Sequence, residues 1–293
     1  MGTPASLSVR DLLAGARARL ARAGVDSARL DAEVLLMAVL GLDRTGLYLA
    51  YERHPSIVEL ARFHELTERR AAGEPVAYLT GHREFMGLDF LVDRRVLVPR
   101  PETEYLVEWA LARARGWGES PRRVVDVGTG SGAIAVSLAH HLPPSNAVKV
   151  VGSDRSFDAL RVARLNGERL TPGRVAFVAG DLLGWCRPGL DLVLANLPYL
   201  REDQSHAGLA HEPASALFGS GHGFDLYRRL LPEASKLLTP TGALACEIDP
   251  DQRAAALTLA HDVFPGAEIQ LRRDLAGLDR YLIVDRAPHH QQR

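Results

Sequence analysis

Val124-Val125-Asp126-Val127-Gly128-Thr129-Gly130-Ser131-Gly132-Ala133-Ile134-Ala135-Val136 packs an apolar run, three alternate glycines and the opening of a helix into one short stretch. The apolar run reads as a buried strand, and the glycines let backbone approach a ligand without a Cβ in the way. The helix that follows offers its N-terminus to a carboxylate or phosphate. Strand, glycine turn and helix together predict an open α/β sheet, in which ligands bind at the carboxyl ends of the strands. The spacing is G-x-G-x-G, whereas dinucleotide-binding folds prefer G-x-G-x-x-G.

Three more apolar runs end on polar residues. Val148 to Ser153 leads to Asp154, a carboxylate able to hold both hydroxyls of a ribose. Val175 to Gly180 leads to Asp181, within reach of an adenine amino group. Either Asp alone is equally well explained as a helix cap. Leu190 to Ala195 leads to Asn196-Leu197-Pro198-Tyr199. An Asn-x-Pro-Tyr corner suits methyl transfer to a planar NH2 group, whose nitrogen is a poor nucleophile because its lone pair is delocalised. The Asn oxygen and the next carbonyl can accept both N–H bonds and hold that lone pair toward an incoming methyl. Pro198 stiffens the loop, and Tyr199 offers a flat apolar face. Four strand ends, each with a suitable group, together read as an S-adenosylmethionine site.

Composition narrows the setting. With 293 residues and 46% apolar content the chain can bury a sizeable core and hold one or two domains. Lys plus Arg number 35 against 36 Asp plus Glu, so no global field draws the protein to nucleic acid. Cys186 and Cys246 form no C-x-x-C pair, which fits a reducing compartment and gives no zinc signature. The His-His pairs beginning at His140 and His289 lack partners at ligand spacing. No apolar stretch approaches the roughly 20 residues of a membrane span, and no signal peptide is legible. Met1-Gly2 with Ser6 fits the loose myristoylation pattern, a match we attribute to chance. The expected location is the cytoplasm.

The chain divides into regions. Residues 1–75 read as helices only. Ser8 with Asp11 forms a capping-box pattern ahead of Leu12, Leu13, Ala16 and Leu20. A second helix starts near Asp26 or Ser27, carries Leu30, Val34, Leu35 and Ala38, and stops at Gly41. A short third lies around Tyr48. The fourth runs from Pro55-Ser56 to about Arg70 with Ile57, Leu60 and Phe63 inward and Gly73 as C-cap. Ten basic and ten acidic residues balance here, which favours docking of a protein over a nucleic-acid platform. Residues 76–100 are read as a linker, with a β-hairpin around Gly87. Residues 101–293 form the sheet domain, entered through Pro101, Glu102 and Glu104, which suit a helix start.

The chain resembles the HemK/PrmC family of protein-glutamine N5-methyltransferases, which modify peptide-chain release factors. The resemblance runs through Gly73 to Tyr78, Thr80-Gly81 to Phe85, Val98 to Glu104, the glycine loop, Gly180 to Leu183, and the Asn196 motif. It continues at Glu212-Pro213, Ala216-Leu217, Gly223-Phe224-Asp225 and Asp274 to Arg280. Leu197 departs from it, since the family reads Asn-Pro-Pro-Tyr. Asn-Leu-Pro-Tyr is also similar to the motif of enzymes that methylate adenine N6 in ribosomal RNA.

The resemblance implies an α/β chain: an N-terminal helical bundle, then a Rossmann-like class I methyltransferase domain with a doubly wound, mostly parallel seven-stranded sheet. Its last strands would be Ala243–Ile248, Glu268–Arg273 and Tyr281–Val284, the final pair antiparallel. It implies S-adenosylmethionine as cofactor, held by Gly128, Thr129, Gly130, Ser131 and Gly132, by Asp154 at the ribose, by Asp181 and Leu182 at the adenine, and by Asn196. It implies catalysis by Asn196, Pro198 and Tyr199, substrate contacts from Asn196 to Tyr199, and no metal. The expected partner is a release factor met by a monomeric enzyme, with no membrane and no direct nucleic-acid binding. Two rival readings are an N6-adenine methyltransferase and an inactive binding module on the same fold.

Overall fold

The computed structural model describes residues 7–118, 120–144, 147–205, 207–220 and 223–287. The Met1-Gly2 match and the polar tail from His289 lie outside these. Two units emerge, one running to His82 with the short segment that ends at His211, the other holding the rest.

The first unit is helical. α1 (Val9–Arg22) begins with the expected capping box of Ser8 and Asp11. α2 (Ala28–Leu40) stops at Gly41 in the left-handed region, α3 is Arg44–Leu49, and α4 (Ile57–Ala71) carries a second capping box, Ser56 with Glu59. α5 (Val76–Thr80) belongs to the same unit, so the helical region continues past residue 75. The core comprises Val9, Leu20, Leu35, Leu36, Leu47, Phe63 and Leu66 among others.

Two expected faces are turned. Leu30 and Ile57 are exposed, at 53% and 82%, while Asp31 and Glu33 are buried. Asp31 is neutralised by Arg70 at 2.6 Å, and Glu33 by Arg29 at 3.0 Å and Arg44 at 3.4 Å. Paired carboxylates can go inside, and they take the place that apolar periodicity alone assigns to Leu30. Helix α4 turns Phe63, Leu66 and Thr67 inward, and its C-cap is Ala72, one residue before Gly73.

A hairpin joins β1 (His82–Phe85) to β2 (Leu88–Leu91) through Met86 and Gly87, both at positive φ, as a two-residue turn requires. Phe85 and Phe90 pack edge to face at 6.1 Å beneath it. The seven-stranded sheet contains β3 (Arg122–Val127), β4 (Val148–Asp154), β5 (Val175–Ala179), β6 (Leu190–Ala195), β7 (Leu238–Glu247), β8 (Glu268–Arg273) and β9 (Asp279–Asp285). Their order is β5-β4-β3-β6-β7-β9-β8. The first five are mutually parallel, and β9 runs antiparallel to both β7 and β8. The accompanying helices are α6 (Glu104–Ala114), α7 (Ala133–His141), α8 (Phe157–Leu170), α9 (Ala214–Leu217), α10 (Asp225–Leu237) and α11 (Arg253–Val263). Strand β6 is buried along its whole length, which is why it reads as an unbroken apolar run. The strand order reverses between β3 and β6, where an open sheet leaves a crevice at its carboxyl edge. The register pairs Val127 with Ala195, so Gly128 and Asn196 leave the sheet side by side. Among the described residues no helix is long and apolar enough to cross a membrane.

Candidate active site

The glycine loop is held from three sides. Gly128 and Thr129 both donate N–H bonds to the Ser153 carbonyl at 2.8 Å. Gly130 donates to Asp154 Oδ2 at 3.0 Å, while Asp154 Oδ1 accepts from Ser156 N at 2.8 Å. Ser156, not Asp154, is the N-cap of α8. Asp154 therefore braces the loop from the end of β4. From the third side, the buried Asn166 accepts from Leu91 N and donates to the carbonyls of Leu91 and Ser131, joining the hairpin to the loop.

Under the loop lies Asp126, fully buried. Its Oδ2 accepts from Thr129 Oγ1 at 2.6 Å and from Ala135 N at 3.3 Å, while Oδ1 has no partner among the described residues. Burial pushes its carboxyl up to about 7, with the Asp154 charge adding to the rise and the Thr129 and Ala135 bonds opposing it.

Across the crevice, the side chain of Asn196 is tied down. Asn196 Nδ2 donates to Thr103 Oγ1 at 2.9 Å, and Thr103 donates to Glu247 Oε2 at 2.7 Å. Tyr199 donates its phenol to Glu247 Oε1 at 3.0 Å. Glu247 ends β7 and is 1% exposed. Its carboxyl is raised by burial, with the Thr103 and Tyr199 bonds and the charge of Arg280 pulling the other way. The Tyr199 phenol is raised by burial first and then by the Glu247 charge. The buried Tyr227 hydroxyl accepts from Leu197 N at 3.3 Å and donates to the Glu247 backbone carbonyl, clamping the Asn196 loop to the end of β7.

A single cavity collects most of the expected residues: Gly128 to Ser131, Asp154, Asp181, Leu182, Asn196, Leu197 and Pro198 all line it. Gly132 and Tyr199 do not. Gly132 is the N-cap of α7, packed near Val136 and Ala163, and Tyr199 lies behind Asn196 on Glu247. Asp181 keeps an exposed carboxylate that ion-pairs with Arg229. Leu182 takes a left-handed backbone at φ 47, its carbonyl accepting from Trp185 Nε1. Val96, Leu97, Pro99 and Arg100 line the cavity, as do Pro213, Ser215 and Ala216. Glu212 ties the two segments together by accepting from Val98 N and pairing with Arg100.

Reading the chain in order singles out neither Glu247 nor Asn166, and assigns no role to Thr103 or Glu212. Glu247 was accessible by the same rule that marks Asn196, being the last residue of a parallel strand. Thr103 and Glu212 sit within segments that carry the family resemblance.

A PrmC N-terminal domain model matches residues 11–81, and a methyltransferase domain model matches residues 124–221. A release factor glutamine methyltransferase from Moorella thermoacetica is 42% identical, covering 96% of this chain and 99% of its own. Proteins of that name from Deinococcus radiodurans and Bradyrhizobium diazoefficiens are 41% and 40% identical, over 96% and 92% of this chain and 99% and 92% of theirs. The solved methyltransferase from Pyrococcus furiosus is 18% identical with a TM-score of 0.50, covering 79% of this chain and 99% of its own. The hMettl16 catalytic domain in complex with MAT2A 3'UTR hairpin 1 is 14% identical with a TM-score of 0.55, covering 85% and 86%. At those identities the two structures speak to fold alone, and the fold is that of a class I methyltransferase.

Proposed function

This chain belongs to the release factor glutamine methyltransferase family, and on that basis we propose that it methylates the side-chain amide nitrogen (N5) of the glutamine in a release factor's Gly-Gly-Gln loop. The observation that carries this reading is the position of Asn196, beside the glycine loop where the sheet order reverses. The residues present suit S-adenosylmethionine. Gly128 and Gly130 bring bare backbone to the cavity, Asp154 supplies carboxylate oxygens, and Phe85, Ile134 and Leu182 supply apolar wall. When bound, S-adenosylmethionine supplies an electrophilic methyl group on a sulfonium centre.

The protein's task is to present a weak nucleophile in the right attitude. Asn196 Oδ1 and the Leu197 carbonyl accept the two N–H bonds of the target amide. Tyr227 has a single hydroxyl proton, and its bond to the Glu247 carbonyl leaves the Leu197 carbonyl free for this. Pro198 restricts the loop, so little entropy is lost on alignment. The newly methylated nitrogen is strongly acidic and sheds its proton to water.

The helical unit is assigned to docking of the release factor, in the cytoplasm where such factors act, and the adenine at the cofactor site to the edge formed by Asp181 and Leu182. Incubation with labelled S-adenosylmethionine, release factors and ribosomal RNA in parallel tests the whole reading. Label should appear on the factor's glutamine; label confined to RNA would replace this reading with the adenine one.

A further inference from the structure

Two hydroxyls converge on one buried carboxylate and the Asn196 amide joins them through Thr103, and the count of their protons determines which way each bond runs. Thr103 has a single hydroxyl proton, and at 2.7 Å it points to Glu247 Oε2. Once that proton is committed, Thr103 Oγ1 can only accept. The Asn196 side-chain atom 2.9 Å from it must therefore be the NH2 end. Tyr199 commits its one proton to Glu247 Oε1 in the same way. An ionised carboxylate, with no proton to give, is the group that makes all three directions obligatory. Burial raises the Glu247 carboxyl and the charge of Glu102 adds to the rise, while the Thr103 and Tyr199 bonds and the charge of Arg280 favour the ionised form.

Were residue 247 a donor toward Thr103, the chain would be free to reverse. Thr103 would then give its proton to Asn196 Oδ1, and the amide would turn its NH2 end toward a target that also presents NH2. Two donors facing each other leave the target unheld. We propose that Glu247 is a positioning residue for the transfer: by taking the hydroxyl proton of Thr103 it fixes the Asn196 amide with its oxygen, not its nitrogen, available to the target. The inference rests on the reading of the target as a side-chain amide.

Glu247→Gln tests it, because Gln matches Glu in size while adding a donor. Four quantities are needed: kcat on a release factor, KM for the factor, calorimetric affinity for S-adenosylmethionine, and thermal melting. Glu247→Gln should lower kcat at least about tenfold, on the scale of losing a pre-organised contact, with cofactor affinity within about threefold. Asn196→Ala sets the floor for the loss. Thr103→Val, which cuts the link without touching the carboxylate, should fall similarly. Thr103→Ser, which returns the hydroxyl, should recover most of what Thr103→Val loses. The double variant Thr103→Val/Glu247→Gln should be no slower than the slower single variant, since both act through one relay. Wild-type kcat in Glu247→Gln or Thr103→Val overturns the proposal. So do losses that multiply in the double variant, or a kcat loss matched by an equal loss of cofactor affinity. If Glu247→Gln does not fold, the Thr103 pair decides alone. Failure of the wild-type enzyme to label a release factor would instead sink the functional reading.

Discussion

Leu197 places its Cδ2 only 2.8 Å from where a Cβ on Gly128 would fall, with Gly128 at φ +74. The two loops that form the crevice thus touch through the first glycine of one and the residue of the other that departs from the family's Asn-Pro-Pro-Tyr. Gly128→Ala would meet both a left-handed backbone and a steric conflict, costing about 1 kcal/mol or more for the backbone alone. Cofactor affinity should fall at least about tenfold by calorimetry, and adding Leu197→Ala should restore part of it. An unaffected Gly128→Ala enzyme would mean the loops separate freely.

Leu197→Pro returns the family's residue. It deletes the N–H that Tyr227 accepts at 3.3 Å, a long bond worth about 1 kcal/mol or less, and it leaves the carbonyl in place. Proline also steers Asn196 toward extended backbone, which a strand end already favours. Turnover on a release factor should stay within a few-fold of wild type. Abolished turnover would show that this loop is built differently, and would strengthen the adenine reading.

Asp154→Ala removes the acceptor for Gly130 N and the carboxylate assigned to the ribose. Hydrogen bonds to charged groups contribute about 1.5–3 kcal/mol each, so S-adenosylmethionine should bind at least roughly tenfold more weakly. Calorimetry showing unchanged affinity would leave Asp154 only the loop-bracing role.

The helical unit leaves Leu49, Ile57 and Val58 exposed at 84%, 82% and 73%. If release factors dock there, replacing all three by Glu should raise KM for the intact factor several-fold. Cofactor affinity and melting temperature should hardly change, since none of the three is in the core. A triple variant with wild-type KM would move the docking surface elsewhere.

Asp126 makes stability depend on pH. Its carboxyl sits at about 7 in the folded protein against an ordinary 3.8, so the folded state holds a proton that the unfolded chain releases. The stability it contributes is complete below about pH 4 and is lost as pH rises through about 7, at roughly 1.4 kcal/mol per pKa unit. Glu247, also raised, acts in the same direction. Asp126→Asn should flatten the decline in denaturation midpoint between pH 5 and 8. An identical slope in the variant would mean that Asp126 ionises freely in the fold.

The sheet and half of the site were legible in the chain itself, for a simple reason. A strand buried on both faces must be an unbroken apolar run, as Leu190 to Ala195 is, and whatever residue follows it inherits a place at the carboxyl edge of the sheet. That logic located the glycine loop, Asp154 and Asn196 without any knowledge of packing. The contacts that orient them were not legible. Asn196 meets Thr103 across 93 residues, and Thr103 meets Glu247 across 144. Nothing local marks these pairings, because the strength of a buried hydrogen bond depends on the desolvation that folding imposes and on donors arriving from distant elements. The same limit applies to the turned face of α2, where Asp31 and Glu33 could go inside only because arginines met them there. Periodicity determined which segments became helices and strands; tertiary packing decided which polar groups were buried and therefore which way their hydrogen bonds run.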